Sequence, residues 1–153
     1  MASGVQVDNS VTVLFEEMRL KKSGKKAAFF GFSPDEKFIV VQEGKEILSC
    51  ERSNFFQRLK ALLPENNCCY ILMDLEYVTG ESKKQDLVFV MWCPEEAPIK
   101  KKLLYASSKS YMKQALPGVT KHWEMHNKED FIVEQIAKKL SSGKVKSLEG
   151  CNV

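Results

Sequence analysis

The sequence predicts an α/β domain in which a mixed central sheet lies between helices on both faces. Short runs rich in β-branched and aromatic residues alternate with segments whose apolar residues recur every three or four positions. The run 87–92 is almost continuously apolar, which is typical of a strand buried on both faces. The 153 residues, 44% of them hydrophobic, suit one core. We therefore expect residues 1–153 to form a single domain, with residues 1–7 flexible.

The first half of the chain is predicted to contain two helices and two strands. They are a helix of about three turns carrying Val11, Leu14, Phe15 and Met18, strands over 27–32 and 37–42, and a helix over 55–63. Residues 8–10 carry side chains that cap helices, and Pro64 ends the second helix. Turns are expected at 33–35 and 43–45.

The second half is predicted to contain the central strands and the longest helix. The elements are strands over 69–78 and 87–93, a helix over 99–116, a strand over 119–125 and a helix over 129–140. Pro98 suits the start of the long helix, where no backbone donor is needed, and Pro117-Gly118 stops it.

Composition and charge exclude several classes of protein. The 23 basic and 20 acidic residues leave a net charge of only +3, far from the excess of a protein that coats nucleic acid. No apolar run approaches the roughly 18 residues that span a bilayer, and the amino terminus lacks signal-peptide features, so we expect a cytosolic protein. The five cysteines are odd in number and lack metal-ligand spacing, which predicts neither disulfides nor zinc.

Enzyme signatures are missing from the sequence. It has no glycine-rich phosphate loop and no nucleophile elbow. Asp74 and Glu76 alternate along a predicted strand, where paired carboxylates are usually a solvated face. His122 and His126 straddle a strand end and do not share a helix face. We therefore predict no catalytic residues, no metal and no cofactor.

The long helix is the most informative element. At about 100° per residue, one broad face is predicted to enter the core and a different one carries Lys102, Lys109 and Lys113. The core face comprises Leu104, Tyr105, Ser108, Tyr111, Met112, Ala115 and Leu116. Ile99, Leu103, Ala106 and Ser110 lie beside the lysines. Two readings remain open: an outward apolar strip for a partner with a hydrophobic cleft and an acidic rim, or a helix buried on two sides.

Several segments resemble the actin-depolymerising factor (ADF) and cofilin family nearly end to end. They are Ala2-Ser3-Gly4-Val5, residues 43–48, residues 70–77, Glu81-Ser82-Lys83-Lys84, residues 86–89, Trp92, Pro94, Ala97-Pro98, Lys-Leu-Leu-Tyr-Ala-Ser-Ser-Lys at 102–109, and Leu148-Glu149-Gly150. The 102–109 segment is the most specific of these.

The resemblance implies an ADF-homology domain with a five- to six-stranded mixed sheet and two actin contacts. The actin-monomer contact would comprise Ser3, Gly4, Lys100, Lys102, Leu103, Ser108, Lys109 and Met112. The filament contact would comprise Lys83, Lys84, Glu134 and Lys138. Leu103 stands where the family usually has methionine, which conserves volume.

The resemblance also implies a function and its regulation. The expected protein is a non-enzymatic monomer of the cytoplasm and cytoskeleton that binds actin monomers and filaments, prefers ADP-actin, severs and depolymerises filaments and promotes turnover. A kinase and a phosphatase acting on Ser3 would regulate it. Phosphoinositides would bind Lys100, Lys102, Lys109 and Lys113, and His122 would sense pH.

Two alternatives and two departures from the family accompany this reading. A non-severing filament side-binder or monomer sequesterer would have the same fold, and an acidic-membrane adaptor would also use the basic helix. The segment 21–26 is short and lacks a continuous basic run, which does not support nuclear import. Lys113-Gln114-Ala115 replaces three consecutive lysines, which predicts weaker contacts with lipid and with an acidic rim.

Overall fold

The computed structural model describes residues 5–21, 24–48, 54–80, 82–141, 145–149 and 151–152. The helices are α1 (Asn9–Arg19), α2 (Phe55–Leu62), α3 (Ile99–Ala115) and α4 (Val133–Ser141), and a 3-10 turn spans Lys128–Asp130. The strands are β1 (Gln6–Val7), β2 (Lys25–Phe32), β3 (Phe38–Leu48), β4 (Cys69–Thr79), β5 (Ser82–Trp92), β6 (Lys121–Met125), β7 (Val145–Leu148) and β8 (Cys151–Asn152).

The strands form one mixed sheet, as predicted. Its main path is β1-β3-β2-β4-β5-β6, and β7 pairs with β4 and with β8. The pairs β1–β3 and β5–β6 are parallel, whereas β2–β3, β2–β4, β4–β5 and β4–β7 are antiparallel. The main path therefore has the expected six strands, and β7 and β8 bring the sheet to eight.

Strand β5 separates two apolar cores. Val88, Val90 and Trp92 belong to the core that contains the buried residues of α2 and α4. Phe89 and Met91 belong to the other core, with the buried residues of α1 and α3. Because side chains alternate across a strand, the continuous apolar run contributes side chains to both cores. The predicted central strand and the three-layer arrangement are confirmed.

Helix α1 begins where the capping residues predicted it would. The carboxylate of Asp8 accepts hydrogen bonds from the Ser10 backbone nitrogen at 3.0 Å and from the Ser10 hydroxyl at 2.6 Å. Gln6 and Val7, expected to be flexible, instead form β1 beside Phe38 and Ile39 of β3. Parallel pairing with β3 thus tethers the chain just before α1.

The prediction of a turn at 43–45 is wrong, because β3 continues through these residues and forms a bulge there. Phe30 pairs with Val41 and Ala28 with Glu46, so residues 42–45 of β3 lie opposite one residue of β2. Gly44, with a φ of +79°, provides the left-handed backbone at this irregularity. Gly31 lies nearby, and a Cβ added there would displace the Gln42 side chain, whose nitrogen would be 2.2 Å away.

A buried ion pair joins the carboxyl-terminal segment to the centre of the sheet. A second bulge leaves Lys26 between two paired residues of β2, and its ammonium lies 5.6 Å from the centre of the Phe55 ring. The Lys26 nitrogen is 2.7 Å from Oε1 of Glu149 and donates to the Asp74 carbonyl at 2.6 Å. Glu149 also donates its backbone N–H to the Glu76 carbonyl at 2.8 Å. The pair therefore connects β2, β4 and the segment after β7.

We expect Lys26→Met to lower the free energy of unfolding by about 3–5 kcal/mol, because removing one partner of a buried pair leaves an uncompensated charge. Lys25→Met is the matched control. Its pair with Glu46 is partly solvated, and such pairs contribute about 0–1 kcal/mol. Urea unfolding of both variants measures the difference, and equal losses would contradict the assigned role of Lys26.

Candidate functional site

Helix α3 presents one face to the core and the opposite face to solvent. It begins after Pro98, whose carbonyl accepts from the Lys102 backbone nitrogen at 3.0 Å. Tyr105, Ser108 and Met112 are 3%, 0% and 0% exposed, and their spacing of three and four residues defines the buried face. This confirms the centre of the predicted core face.

Tyr105 fixes the rotation of α3 about its axis. Its ring centre lies 4.9 Å from that of Tyr70 and 5.0 Å from that of Phe32, in an edge-to-face contact with the latter. The Tyr70 hydroxyl donates to the Tyr105 carbonyl, and the Phe32 backbone N–H donates to the Tyr105 hydroxyl at 3.3 Å. Burial raises the pKa of both tyrosines, so both hydroxyls stay protonated and able to donate.

An apolar strip on the outer face of α3 is exposed. Ile99 and Leu103 are 73% and 65% exposed, above every other exposed large hydrophobic residue in the described part of the chain. Ala106 and Ser110 continue the strip and are also exposed. Of the two readings of this helix, the structure supports the outward one. We call Ile99, Leu103, Ala106 and Ser110 the outer strip.

Lysines flank the outer strip, and several are already engaged. Lys100 and Lys113 are exposed. The Lys102 ammonium donates to the Glu95 carbonyl at 2.9 Å, and the Lys101 ammonium lies 2.8 Å from the Glu36 carboxylate. These contacts hold positive charge beside the start of the strip.

Lys109 differs from the other lysines. Its side chain is only 16% exposed, and its ammonium lies 2.9 Å from the Glu124 carboxylate. The hydrogen bond from Lys109 and its charge lower the pKa of Glu124. Lys109 therefore contributes an internal ion pair between α3 and β6, and little free positive surface.

Part of the predicted actin-monomer contact is inaccessible. Ser108 and Met112 are 0% exposed and pack against the sheet, so direct contact with a partner is incompatible with their positions. Ser3 and Gly4 lie outside the described residues. The nearest described residue, Val5, packs against the core that contains Tyr105, and β1 lies beside α3. Residues 5–7 therefore lie on the same side of the molecule as α3.

The predicted filament lysines lie near the end of the β4–β5 hairpin. Lys83 pairs with Val78 and Lys84 with Tyr77, and both lysines are exposed. Since successive residues of a strand point to opposite faces, the two ammonium groups leave the hairpin on different sides. Below them, the Tyr77 hydroxyl donates to the Asp86 carboxylate; burial and this hydrogen bond raise the pKa of Tyr77 to about 12.

The other two predicted filament residues lie on α4. Glu134 and Lys138 are exposed, while Ile136 and Leu140 face the core that also contains Tyr77. Helix α4 packs beside β7, and β7 pairs with Tyr77, Val78 and Thr79 of β4, at the turn end of the hairpin. The fold therefore brings α4 close to the hairpin, on the face of the sheet opposite α3.

The expectation that Asp74 is a solvated carboxylate on β4 is wrong. It is 7% exposed, and its carboxylate accepts from the Gln85 side-chain nitrogen at 2.8 Å and lies 3.3 Å from the Lys21 ammonium. These contacts join the end of α1 to the central hairpin, which is a structural role.

His122 lies in a partly buried place between β5 and α3. Its Nε2 is 2.8 Å from the Val119 carbonyl, and its ring packs edge-on against Phe89 with the centres 5.9 Å apart. Nδ1 is buried and has no hydrogen-bond partner among the described residues. Burial lowers the pKa of His122; the bond to Val119 opposes this shift, and the charges of Lys113 and Lys109 add to it.

Two other kinds of site are missing from the described ranges. No helix there is long and apolar enough to cross a membrane. Those residues also contain no group of three or more histidine, cysteine or acidic side chains arranged to hold a metal ion.

Comparison with known proteins agrees with this architecture. The profile of the family described as cofilin/tropomyosin-type actin-binding protein matches residues 4–141. The chain belongs to the ADF/cofilin family. The match spans all four helices and the six strands of the main path of the sheet, so the family resemblance of the sequence is confirmed.

Solved structures of ADF/cofilin proteins have the same fold. Cofilin of Streptomyces griseoflavus is 29% identical with a TM-score of 0.77, and the match covers 92% of this chain and 99% of that one. Actin depolymerization factor 2 of Plasmodium berghei is 26% identical with a TM-score of 0.77, covering 93% and 99%. ADF of Toxoplasma gondii is 30% identical with a TM-score of 0.58, covering 86% and 98%.

Of the outer strip, only Leu103 was in the predicted contact of this ADF/cofilin chain; Ile99, Ala106 and Ser110 were absent from it. Ile99 is the most exposed of the large hydrophobic residues described, but the resemblance assigned it no role. Helical projection had already placed it beside Leu103, one turn away. Its burial by a partner would add apolar area to that of Leu103.

The lowered pKa of His122 makes the stability of this ADF/cofilin chain depend on pH. As pH falls below the ordinary value of 6.5, the unfolded chain takes up the proton before the folded chain does. We therefore expect the free energy of unfolding to fall in that range and His122→Gln to reduce the loss. Above the ordinary value both states are neutral, and the residue contributes no pH dependence.

NMR titration of the imidazole measures the same shift directly. We expect a midpoint below 6.5 in the wild type and a higher midpoint in Lys113→Gln, because the Lys113 charge disfavours the protonated ring. Lys138→Gln, on the opposite face of the sheet, is the control and should leave the midpoint unchanged. A wild-type midpoint above 6.5 would refute the assignment.

Proposed function

We propose that this chain binds actin monomers through the outer strip of α3, with Lys100 and Lys102 beside it. The observation that carries the proposal is the exposure of Ile99 and Leu103, 73% and 65%, on one helix face next to these lysines. Burying both side chains in a cleft would supply apolar binding energy, and the lysines would steer the chain toward an acidic rim. Membership of an actin-binding family supports actin as the partner.

The proposed activity is non-enzymatic. The chain, as one ADF-homology domain and as a monomer, would bind filaments as well as monomers, prefer ADP-actin, and promote severing, depolymerisation and turnover. A ligand changes filament twist only if it binds the twisted state more tightly than the other state. Filament strain would then arise where decorated and bare segments meet. This activity belongs in the cytoplasm, on the cytoskeleton, and we propose no nuclear import.

Leu103→Asp tests the monomer contact. Burying a leucine stabilises an interface by about 1.5–3 kcal/mol, so its loss should weaken binding to fluorescently labelled actin monomers at least about tenfold. Ile99→Asp should act in the same direction. The matched controls are Val13→Asp and Leu20→Asp, since both residues are exposed apolar positions on α1, 48% each.

The outcomes of this test separate the competing functions. Loss of binding in the α3 variants alone supports the proposal. Equal losses in the α1 variants would contradict it. Binding of the wild type to anionic vesicles but not to actin would identify an acidic-membrane adaptor.

We also propose a filament contact formed by the β4–β5 hairpin and α4, with Lys83, Lys84, Glu134 and Lys138. Its support is the position of α4, which packs beside β7, the strand that pairs with β4 at the turn end of the hairpin where the two lysines lie. Helix α4 lies across the sheet from α3, so this contact and the outer strip could engage different actin subunits together.

Lys83→Ala/Lys84→Ala should weaken filament binding by about 0.4–2 kcal/mol in total, taking 0.2–1 kcal/mol for each exposed ion pair. Monomer binding should be retained. Co-sedimentation measures filament binding, and single-filament imaging reports severing. Wild-type binding along filaments without severing would instead identify a side-binder of the same fold, and loss of monomer binding in the double variant would contradict two separate contacts.

Ser3 is proposed as an inhibitory phosphorylation site acted on by a kinase and a phosphatase. A phosphate would bring negative charge to a surface that relies on lysines. Ser3→Glu should weaken monomer binding about tenfold or more, since like charges brought together at an interface cost several kcal/mol. Ser10→Glu, at the exposed start of α1, is the control. Equal binding by Ser3→Glu and the wild type would exclude the proposed inhibition.

Phosphoinositides are proposed to compete for the same surface of α3 through Lys100, Lys102, Lys109 and Lys113. The exposure of Lys100 and Lys113 supports this, while the ion pair of Lys109 with Glu124 predicts a smaller contribution from Lys109. His122 is proposed to modulate activity only in the acidic range, because burial lowers its pKa. Vesicle competition against actin binding tests the first proposal, and severing by His122→Gln as a function of pH tests the second.

A further inference from the structure

Two cysteines outside the proposed actin contacts face each other across the central hairpin. The sulfur atoms of Cys68 and Cys93 are 3.6 Å apart, and both side chains are buried, 1% and 7% exposed. Both belong to the core under α1 and α3. Their neighbour Cys69 points into the opposite core. Among the three cysteine side chains that the structure describes, two therefore lie together and Cys69 faces away.

The strand register brings the pair to a distance suited to a disulfide. Cys69 pairs with Trp92 in the antiparallel β4–β5 ladder, so Cys68 and Cys93 are the next residues opposite each other. Directly opposed residues in such a ladder have Cα atoms about 4.5–5.5 Å apart, within the range of about 4.4–6.8 Å that disulfides span. Cys93 is held there by its backbone N–H, which donates to the Met125 carbonyl at 2.9 Å.

A cavity lies beside Cys93. Cys93 lines a cavity of about 320 Å³ together with Glu95, Lys102, His126 and Asn127. Its backbone carbonyl also lies 2.7 Å from Nδ1 of His126. The cavity is large enough for a molecule the size of hydrogen peroxide. Cys68 lies in the core and is not one of the residues that line the cavity.

The two thiols have different chemical roles in this arrangement. The Cys68 thiol donates its hydrogen to the Cys93 sulfur. Burial and this hydrogen bond raise the pKa of Cys68 to about 12, while the charges of Lys102 and Lys101 act in the opposite direction. Because the thiolate is the reactive form, Cys68 is not the thiol that reacts first; its sulfur, 3.6 Å from that of Cys93, is placed to attack Cys93 once that residue is oxidised.

We propose that Cys68 and Cys93 form a peroxide-sensitive dithiol that closes to an intrachain disulfide. The Cys93 sulfur attacks one oxygen of hydrogen peroxide, so an S–O bond forms, the O–O bond breaks, and the leaving oxygen takes up the thiol proton as water. The Cys68 sulfur then attacks the sulfenic sulfur of Cys93, the S–O bond breaks, and a second water leaves with the Cys68 proton. Two thiols and one peroxide thus give one disulfide and two waters.

This assignment is independent of actin binding and differs from the sequence expectation. An odd number of cysteines in a reducing compartment predicted no disulfide, but reversible bridges that sense oxidants are the recognised exception. Closure needs only a small inward shift of each sulfur, from 3.6 Å to the bonded distance of about 2.05 Å.

Peptide mapping of the full chain after hydrogen peroxide treatment tests the proposal. Free thiols are blocked before digestion, and mass spectrometry then seeks a linked peptide containing Cys68 and Cys93, lighter by two hydrogens than its reduced parts. We expect it in most of the treated protein, with full reversal by dithiothreitol. Cys69→Ala should retain the link, whereas Cys68→Ala and Cys93→Ala should abolish it.

Three results would overturn the proposal: no linked peptide in the wild type, a bridge between Cys68 and Cys69, or irreversible oxidation of Cys93 without a bridge. Circular dichroism establishes whether each alanine variant folds. The wild-type map decides the question even if a variant does not. Because the readout is the bond itself, failure of the proposed actin binding would leave this test intact.

Discussion

The packing of Tyr105 determines which side of α3 reaches solvent. Its ring lies against Tyr70 and Phe32, and its backbone carbonyl accepts from the Tyr70 hydroxyl. Once this residue is fixed in the core, helical geometry directs Ile99 and Leu103 outward. The outer strip therefore lies on a helix whose rotation about its axis is fixed by its buried face. The proposed monomer contact depends on this constraint.

The two faces of β5 contribute to two separate apolar cores. One core holds α1 and α3, and the other holds α2, α4 and β7. The outer strip on α3 and the exposed face of α4 therefore rest on different sets of buried side chains. Changes at well-separated sites usually have additive effects, so each surface can be altered without loss of the other. This separation suits a protein that is proposed to bind neighbouring subunits of one filament.

Sequence patterns predicted the features that follow from local periodicity. The helical spacing of Tyr105, Ser108 and Met112 identified the buried face of α3, and the apolar run of β5 identified the central strand. Each of these patterns has one physical cause, the burial of a repeating face. The family resemblance then added the actin partner, which periodicity alone left open.

The features that the sequence did not predict depend on long-range pairing. Glycine is typical of turns, but the register of β2 against β3 makes Gly44 part of a bulge in β3. Asp74 was expected in solvent, yet Lys21 and Gln85 approach it from elements distant in sequence. The Cys68–Cys93 contact likewise exists only once the β4–β5 ladder is in register.

Ser108 and Met112 failed as contact residues for a different reason. The family pattern places them on the actin-binding helix, but it does not separate residues that touch a partner from those that support the helix beneath it. Both are 0% exposed, so their role is to hold α3 against the sheet. The helical projection had already placed both residues on the core face, and the structure agrees with the projection.

Site-directed photo-crosslinking tests the central claim most directly. A photoreactive amino acid would replace Leu103 in one protein and Leu20 in another, and each would be irradiated with actin monomers. The account predicts a covalent adduct with actin from position 103 and none from position 20, since only the outer strip of α3 would be in contact. An adduct from position 20 without one from position 103 would contradict it.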